Sequence, residues 1–508
     1  MTNPLSKETV VAVVGAGAMG AGIAQVAAVA GHPVLLLDNR PQAAQTAIEG
    51  IRAQFDKMVA KGKMDSAAAQ AAAQRLQAAT GLADLAPSGL VVEAIVESLA
   101  AKQTLFKDLE ALVSADCIFG SNTSSISITA IGSALQRPQR LAGLHFFNPA
   151  PLMALVEVVS GLATEAPVAD VLFATATAWG KTAVHAKSTP GFIVNRVARP
   201  YYAEGLRLRS EGAADCATID AVMREAGGFR MGPFELMDMI GLDVNFAVTR
   251  SVWNAYFNDP RYLPSLIQQD LVDAGYLGKK NGRGFYDYRE GADKPAPQTE
   301  PAHARPSRIV VYGDAPAAQA LVARLQAAAI PFERAACVDG RIAQADEATL
   351  VVTDGRSATQ RAAETGVANT VVMDLALDYT KATRMAVAAA GQCSEAAFAD
   401  ACAVLQICGM QVSRLNDVPG LAVMRTVAML ANEAADAVYQ GVCNARGADD
   451  AMRLGVNYPR GPLVWADQVG LPVIRTVLAN LGALYGEDRY RISPLLQKLV
   501  FEGNKFHG

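Results

Sequence analysis

The chain has 508 residues, of which 51% are hydrophobic and 19% charged, and its formal net charge is −4. A chain of this length is too long for one hydrophobic core and predicts three or four domains of an ordinary globular protein. The weakly acidic balance argues against a general affinity for nucleic acid. The seven cysteines show neither CxxC spacing nor a metal-type cluster with the five histidines, so we expect free thiols and no metal site.

The beginning of the sequence decides between a secreted, a membrane and a cytoplasmic protein. Residues 1–10 lack an apolar segment after a basic start, so no secretory signal is evident and a cytoplasmic location is predicted. Residues 10–37 carry no Asp, Glu, Lys or Arg and are long enough to span a bilayer. This segment nevertheless contains spaced glycines and breaks at Gly31-His32-Pro33, which indicates strand, turn, helix and strand rather than a membrane span.

Three glycines, Gly15, Gly17 and Gly20, separate the predicted strand Val10–Val14 from a helix, and Asp38 ends the next strand. The first glycine allows a tight turn, the second allows the backbone to approach a pyrophosphate, and the third lets the helix pack close to the sheet. In this βαβ context, with an acid about 20 residues on, the pattern is typical of a dinucleotide site. Asp38 is expected to accept the ribose hydroxyls and to repel a 2′-phosphate, which favours NAD over NADP.

Helical sequence is predicted from 41 to about 82, with Lys57, Lys61 and Lys63 near its middle. These lysines fit either a solvated helix face or a contact to the phosphates of a long anionic substrate. Further strands are predicted at 90–94 and 117–120. The second of them runs into Ser121-Asn122-Thr123-Ser124-Ser125, a polar stretch that would either line a ligand site or cap the following helix.

A histidine and a carboxylate stand on two successive apolar segments, His145 within 144–147 and Glu157 within 155–159. A buried carboxylate needs a partner, and His145 is the nearest candidate that can share a proton with it. An imidazole held by a carboxylate is a general base. Taken alone, His145 would be a core histidine and Glu157 an edge-strand charge, but behind a dinucleotide site the pair predicts a dehydrogenase.

A new region begins near residue 188, where Pro190-Gly191 is interpreted as a helix entry. Its pattern predicts helices at 201–210, 218–226, 233–252 and 264–274. Residues 290–306 contain four prolines and no apolar periodicity, so they are interpreted as an exposed, semi-extended linker.

The chain then repeats itself. Residues 189–196 recur as 418–425, and residues 232–242 recur as 461–471, both at an offset of 229 positions. Two matches at one offset indicate a duplicated helical domain. Met424 stands where the first copy has Asn195.

Residues 307–413 resemble a shortened α/β domain, with strands predicted at 309–312, 351–354 and 371–374. Ala315 and Ala318 occupy the places of the second and third glycines, and residues 304–506 contain no histidine. The second half therefore cannot carry out the same general-base chemistry and is interpreted as structural.

The sequence thus predicts an α/β plus all-α chain. Its domains are a Rossmann-type NAD-binding domain (1–188), a helical domain (189–289), the linker (290–306), a reduced Rossmann-like domain (307–413) and a second helical copy (414–508).

Four motifs together resemble the L-3-hydroxyacyl-CoA dehydrogenase family: residues 15–20, residues 121–125, His145-Phe146-Phe147-Asn148-Pro149 and residues 190–196. The resemblance extends over residues 5–290. It implies His145 as the base, Glu157 as its partner, and Ser124 and Asn195 around the reacting oxygen. It further implies a group of cofactor contacts and substrate contacts. The cofactor contacts are Gly15, Gly17, Ala18, Met19, Gly20, Asp38, Glu97, Lys102, Ser124, Asn148 and Lys280. The substrate contacts are Lys61, Ser124, Asn148 and Asn195.

The duplicated helical domain resembles the long form of this family, associated with bacterial phenylacetate degradation, which implies oxidation of 3-hydroxyadipyl-CoA. Three alternatives stay open: 3-hydroxybutyryl-CoA as substrate, a dehydrogenase of a free hydroxy acid, and a non-catalytic NAD-binding scaffold. Because single-copy relatives dimerise through their helical domains, the resemblance also implies that the two copies pair within one chain. An additional homodimer through other surfaces is compatible with the sequence.

Overall fold

The computed structural model describes residues 2–337 and 340–508. Within these ranges the strands form two sheets, and the chain divides into two compact units. The first unit comprises the chain up to residue 196 together with residues 440–456, and the second comprises residues 197–439 and 457–508. Among the described residues, no helix combines the length and the apolar character needed to cross a bilayer.

The first sheet belongs to the first unit. Its strands are β1 (Val11–Val14), β2 (Val34–Leu37), β3 (Leu76–Ala78), β4 (Leu90–Glu93), β5 (Ile118–Ser121), β6 (Leu141–Phe146), β7 (Leu155–Ser160) and β8 (Thr182–Lys187). They lie in the order β3-β2-β1-β4-β5-β6-β7-β8, and neighbours run parallel except for the antiparallel pair β6 and β7. Continuous apolar runs such as that of β1 are buried along their whole length, as expected for parallel strands covered on both faces. This order confirms the predicted Rossmann-type fold.

The helices that accompany this sheet are α1 (Ala18–Ala30), α2 (Ala43–Ala60), α3 (Ser66–Gln74), α4 (Leu99–Glu110), α5 (Ile128–Gly132), α6 (Ala166–Ala178) and α7 (Val194–Val197). The prediction of continuous helical sequence from 41 to 82 is wrong at β3, which adds a short edge strand beside β2. β3 is only three residues long and buries only Leu76. Its sequence therefore shows no alternation of apolar and polar residues from which a strand could be predicted.

The next region of the chain is helical, with α8 (Arg199–Ser210), α9 (Cys216–Glu225), α10 (Pro233–Ile240), α11 (Leu242–Ala255) and α12 (Leu266–Asp273). The helix predicted at 233–252 is in fact two helices, because Gly241 adopts φ +100°, a conformation that breaks the helical hydrogen-bond ladder. The predicted helix entry at Pro190 also lies further along the chain. A turn with positive φ at Gly191 and Phe192 precedes α7, which begins at Val194.

The proline-rich residues 290–306 contain neither helix nor strand and are mostly exposed, as predicted for a linker. They are nevertheless held in place at several points. The Glu300 backbone N–H donates to the Val412 carbonyl at 2.8 Å, and the Ser413 hydroxyl donates to the Gln298 carbonyl at 2.6 Å. The segment therefore packs along the following domain.

The second sheet contains β9 (Ile309–Tyr312), β10 (Glu333–Ala335), β11 (Arg341–Ala345), β12 (Ala348–Val352), β13 (Thr370–Met373), β14 (Arg384–Ala389) and β15 (Gln411–Arg414). Its helices are α13 (Pro316–Ala327), α14 (Ala358–Thr365) and α15 (Glu395–Ile407). The strand order is β10-β9-β11-β12-β13-β14-β15, with β11 antiparallel to both of its neighbours. The sequence-predicted strands correspond to β9, β12 and β13, whereas the remaining strands were not predicted.

The second helical copy comprises α16 (Val423–Tyr439), α17 (Ala445–Gly455), α18 (Pro462–Val469), α19 (Leu471–Tyr485) and α20 (Pro494–Glu502). Its backbone repeats that of the first copy: Gly470 separates α18 from α19 with φ +100°, the value found at Gly241.

Helix α17 lies in the first unit, although it belongs by sequence to the second helical copy. It packs against β7 and β8, and the Lys187 backbone N–H donates to the Val442 carbonyl at 2.9 Å. A Cβ at Gly455 would come within 2.7 Å of the Leu155 side chain on β7, so a larger residue there would force that side chain to shift. A segment from the far end of the chain thus supports the strand that carries Glu157.

Candidate active site

His145 on β6 and Glu157 on β7 are direct partners in the antiparallel register of the first sheet. The imidazole Nδ1 lies 2.6 Å from Glu157 Oε2, and both side chains are buried. A carboxylate oxygen accepts hydrogen bonds, so Nδ1 is assigned as the donor to Glu157, and a neutral ring with this tautomer has its lone pair on Nε2. The rings of Phe147 and Phe192 pack against the imidazole, with centroids 4.5 and 5.8 Å away. The arrangement orients one basic nitrogen.

The second oxygen of Glu157 is used as well. Its Oε1 accepts the backbone N–H groups of Ile193 and Val194, each at 3.0 Å, where α7 begins. These donors belong to the first turn of a helix, whose N–H groups lack intrahelical acceptors. Glu157 therefore has two functions: it caps α7 and it holds His145. The sequence indicated only the second, and the Pro-Gly turn ahead of α7 was the available signal for the first.

Asn195 lies on α7, next to the residues that Glu157 caps. Its side-chain Nδ2 donates to the Ser124 carbonyl at 3.4 Å. Ser124 follows β5, at the carboxyl end of a parallel strand, where open α/β sheets bind ligands. Hydrogen bonds therefore pair His145 with Glu157 and Asn195 with Ser124, and the two pairs meet at α7, which Glu157 caps and which carries Asn195.

Glu97 holds the loop that contains Ser124. Its carboxylate accepts the Thr123 hydroxyl at 2.6 Å, the Ser124 and Ser125 backbone N–H groups at 3.1 Å, and the Ser125 hydroxyl at 2.9 Å. Burial raises the pKa of Glu97, but the hydroxyl donors and the charge of Lys102 outweigh this effect, and its pKa lies below the usual range. Glu97 thus remains a charged anchor for the loop.

Lys102 is fully buried and forms ion pairs with Glu93 at 2.6 Å and with Glu97 at 3.2 Å. Glu93 also accepts the Ser121 hydroxyl at 2.6 Å. Lys102 thus acts on the loop through the two acids, rather than as an exposed cation. Sequence reasoning missed Glu93, which ends the apolar strand β4, although an acid within an apolar strand was the signal that identified Glu157.

The glycine-rich turn between β1 and α1 fits a dinucleotide. Gly15 has φ +107°, and a Cβ there would meet the Ala94 carbonyl at 2.4 Å, so the turn requires glycine. A Cβ on Gly20 would meet the Gly15 carbonyl, whereas a Cβ on Gly17 would point into open space. Ala18 and Met19 open α1, whose N-terminus has no side-chain cap. Uncapped N–H groups beside a bare glycine form the cradle that a pyrophosphate needs.

Asp38 follows β2 and accepts the Ala16 backbone N–H at 2.7 Å. Arg40 forms an ion pair with it at 2.9 Å. The hydrogen bond from Arg40 lowers the pKa of Asp38 to about 2, so the carboxylate is charged at neutral pH. The Asp38 carboxylate can therefore accept ribose hydroxyls. It also holds Arg40, a residue that sequence reasoning missed.

The remaining sequence-predicted contacts lie at more exposed places. Lys61 is exposed where α2 ends, and Asn148 is exposed in the connection between β6 and β7. Lys280 belongs to the second unit, where it forms an ion pair with Asp243 at 2.5 Å. Their roles toward cofactor and substrate stay predictions.

Comparison with known families covers most of the chain. Residues 10–189 match "3-hydroxyacyl-CoA dehydrogenase, NAD binding domain". Residues 191–288 and again 420–506 match "3-hydroxyacyl-CoA dehydrogenase, C-terminal domain". Residues 350–419 match "3-hydroxybutyryl-CoA dehydrogenase reduced Rossmann-fold domain".

Individual relatives match the whole chain or its first half. The chain is 44% identical over 488 residues to 3-hydroxyadipyl-CoA dehydrogenase of Escherichia coli K12, with 96% of each chain covered. It is 41% identical over 278 residues to a probable 3-hydroxybutyryl-CoA dehydrogenase of Bacillus subtilis, covering 55% of this chain and 96% of the relative. The crystal structure of 3-hydroxybutyryl-CoA dehydrogenase from Escherichia coli K12 superposes with a TM-score of 0.89 at 43% identity, covering 98% of this chain and 99% of that one.

Proposed function

Because the chain belongs to the 3-hydroxyacyl-CoA dehydrogenase family and is an NAD-dependent enzyme, we propose that His145 is the base that starts the oxidation of an (S)-3-hydroxyacyl-CoA to a 3-oxoacyl-CoA. The observation that carries this proposal is the buried 2.6 Å contact between His145 Nδ1 and Glu157. It leaves Nε2 as the proton acceptor toward the substrate.

The proton leaves the C3 hydroxyl for His145 Nε2. A secondary alcohol is a poor acid, so its oxidation requires a base within hydrogen-bond reach. The imidazolium that forms lies against the negative charge of Glu157, which stabilises it and keeps the ring in one tautomer. Glu157 is itself held by the N–H groups of Ile193 and Val194, which favour the orientation that faces the ring.

The turn from Gly15 to Gly20 and the Asp38 carboxylate would hold NAD, which would supply the two-electron acceptor for this oxidation. Ser124 and Asn195 donate to the oxygen as it becomes a ketone and orient it toward His145. Their mutual contact and the anchoring of the Ser124 loop by Glu97 preorganise these donors. Asn148 helps to place cofactor and substrate.

The thioester handle of the substrate supplies binding energy remote from the reacting carbon. Lys61 is the proposed contact to the CoA phosphates. Its exposure where α2 ends, close to Lys57 and Lys63 in sequence, gives the region the positive charge that such a contact needs.

The proposed substrate is 3-hydroxyadipyl-CoA, with 3-hydroxybutyryl-CoA as the alternative. The full-length relative with that substrate in its name supports the first, and the name of the superposed crystal structure supports the second. Spectrophotometric NADH formation, measured as kcat/KM for both thioesters, tests the choice. A higher kcat/KM for the adipyl compound is expected, and a preference for the butyryl compound would reverse the assignment.

We further propose that the two helical copies pair within one chain. Glu204 and Glu433 occupy equivalent positions in the two copies, and each accepts a tyrosine hydroxyl from the other copy. Tyr490 donates to Glu204 at 3.0 Å and Tyr262 donates to Glu433 at 2.7 Å. This near-symmetric exchange is typical of an isologous interface. We expect light scattering to show no obligate dimer joined through the first helical copies, because such a dimer would contradict the pairing within one chain. A homodimer joined through other surfaces is compatible with this pairing.

A further inference from the structure

A cavity of about 630 Å³ lies in the second half of the chain, at the second sheet. The strands β9, β12 and β13 all point in the same direction, because β11 is antiparallel to β9 and β12, and β12 is parallel to β13. The cavity is lined by residues at the carboxyl ends of these strands, including Ala315 after β9, Val352 in β12 and Leu375 after β13. Open α/β sheets bind their ligands at this edge.

The cavity is not built for a dinucleotide. Ala315 and Pro316 line it where the turn leads into α13. Proline has no N–H to donate to a phosphate, and the Cβ of alanine hinders the close approach of a pyrophosphate to the backbone. The second half therefore retains the place of a ligand site but has lost the chemistry of a phosphate site.

The walls described by the structure are mostly apolar. They include Ile342, Leu377, Met424, Trp465 and Val473. Ligand sites of this volume are typically apolar with a few polar groups that fix the orientation of the ligand. An apolar body of moderate size therefore matches most of this surface.

Arg460 is the cation among the lining residues. It is half-buried, and within the described chain its guanidinium makes neither a hydrogen bond nor an ion pair. Burial lowers the pKa of Arg460, and the charge of Asp378 opposes this only in part. Asp378 also lines the cavity, but its carboxylate already accepts the Thr380 N–H and hydroxyl at 2.9 and 2.6 Å and lies 3.5 Å from Lys381.

A partly desolvated guanidinium without an acceptor is costly, and a carboxylate is the acceptor that matches its planar donors best. We propose that this cavity binds an organic carboxylate with an apolar body, and that Arg460 holds the carboxylate group. The site is independent of the oxidation proposed above, since residues of the second half form it.

The test uses octanoate as the probe and calorimetry on the full chain. Octanoate is expected to bind at one site per chain, while 1-octanol, which has the same apolar body without the charge, binds at least about tenfold more weakly. The Arg460→Gln variant is expected to weaken octanoate binding by a factor of about 10 to 100. The matched control is Arg305→Gln, which removes an exposed arginine outside the cavity and leaves binding unchanged.

Two further measurements locate the probe. Octanoate is expected to change the fluorescence of the wild-type chain but not that of Trp465→Phe, because Trp465 lines the cavity. NADH formation by Arg460→Gln is expected to equal that of the wild type, which shows that the variant is folded. The proposal is overturned if the wild type binds no octanoate, if Arg460→Gln binds it with unchanged affinity, or if 3-hydroxybutyryl-CoA displaces it.

Discussion

Helix α7 in the first half and helix α16 in the second half follow turns with nearly the same backbone. Gly191 and Phe192 have φ +77° and +48°, and Gly420 and Leu421 have φ +75° and +52°. In each half a buried carboxylate receives the N–H groups of the residues after this turn. Glu157 serves α7, and Asp374 serves α16.

The two carboxylates differ in whether an oxygen is left to accept a hydrogen bond from another side chain. Both oxygens of Asp374 are occupied by backbone donors, since Oδ2 accepts from Ala422 and Val423, and Oδ1 accepts from Leu375 and Met424. Glu157 instead gives one oxygen to the helix and the other to His145. The comparison teaches that a buried carboxylate caps the helix after this turn in both halves, although the two acids stand on different strands. Glu157 lies on β7, whereas Asp374 directly follows β13, at the position that the 229-residue offset assigns to His145. General-base chemistry requires an imidazole on the neighbouring strand in addition.

The largest expected effect comes from removing that imidazole. His145→Gln is expected to lower kcat by up to about 10⁴-fold, because the proton acceptor is lost. NAD affinity, measured by fluorescence titration, should be unchanged, since the glycine turn is untouched. His185→Gln, which removes a partly exposed histidine on β8, is the matched control. Retained turnover in His145→Gln would remove the base from this residue.

Glu157→Gln is expected to lower kcat by about 10³-fold, because a neutral amide neither stabilises the imidazolium nor fixes the tautomer. The amide also offers one acceptor oxygen where two partners need one each, so a loss of about 1–3 kcal/mol of unfolding free energy is expected. Thermal unfolding with and without NAD separates the two effects. A loss of stability without a loss of kcat would reduce Glu157 to a helix cap, like Asp374.

Asn195→Met copies the second-half residue into the first half. It is expected to lower kcat by about 10²-fold through the loss of one donor to the reacting oxygen. The reciprocal change, Met424→Asn, is expected to leave NADH formation as it is, because no imidazole accompanies Met424. If Asn195→Met retained full kcat, the asparagine would be only a contact to the Ser124 loop.

Asp374→Asn should leave kcat unchanged and alter stability in a pH-dependent way. Burial raises the pKa of Asp374 to about 6, against the backbone donors that favour its charged form. A carboxyl group whose pKa is raised on folding contributes stability that is complete below its unfolded value and is lost as pH rises through about 6. The wild type is therefore expected to lose unfolding free energy between about pH 4 and 6 relative to Asp374→Asn. Denaturant unfolding at several pH values measures this, and parallel curves would contradict it.

Much of this protein is determined by its sequence alone. The glycine turn, the acid that ends β2 and the repeat at one constant offset are local signals, because they depend on backbone conformation and on spacing along the chain. For the same reason the histidine and the acid of the site could be nominated from their place in apolar segments, and the lack of histidine in residues 304–506 excluded a second base.

The tertiary structure alone decided which groups meet. It made His145 and Glu157 register partners, gave the second oxygen of Glu157 to α7, and buried Lys102 between Glu93 and Glu97. It also brought α17 from the far end of the chain against β7. These contacts join residues from 5 to about 300 positions apart, and they depend on which surfaces bury each other, which no local pattern encodes.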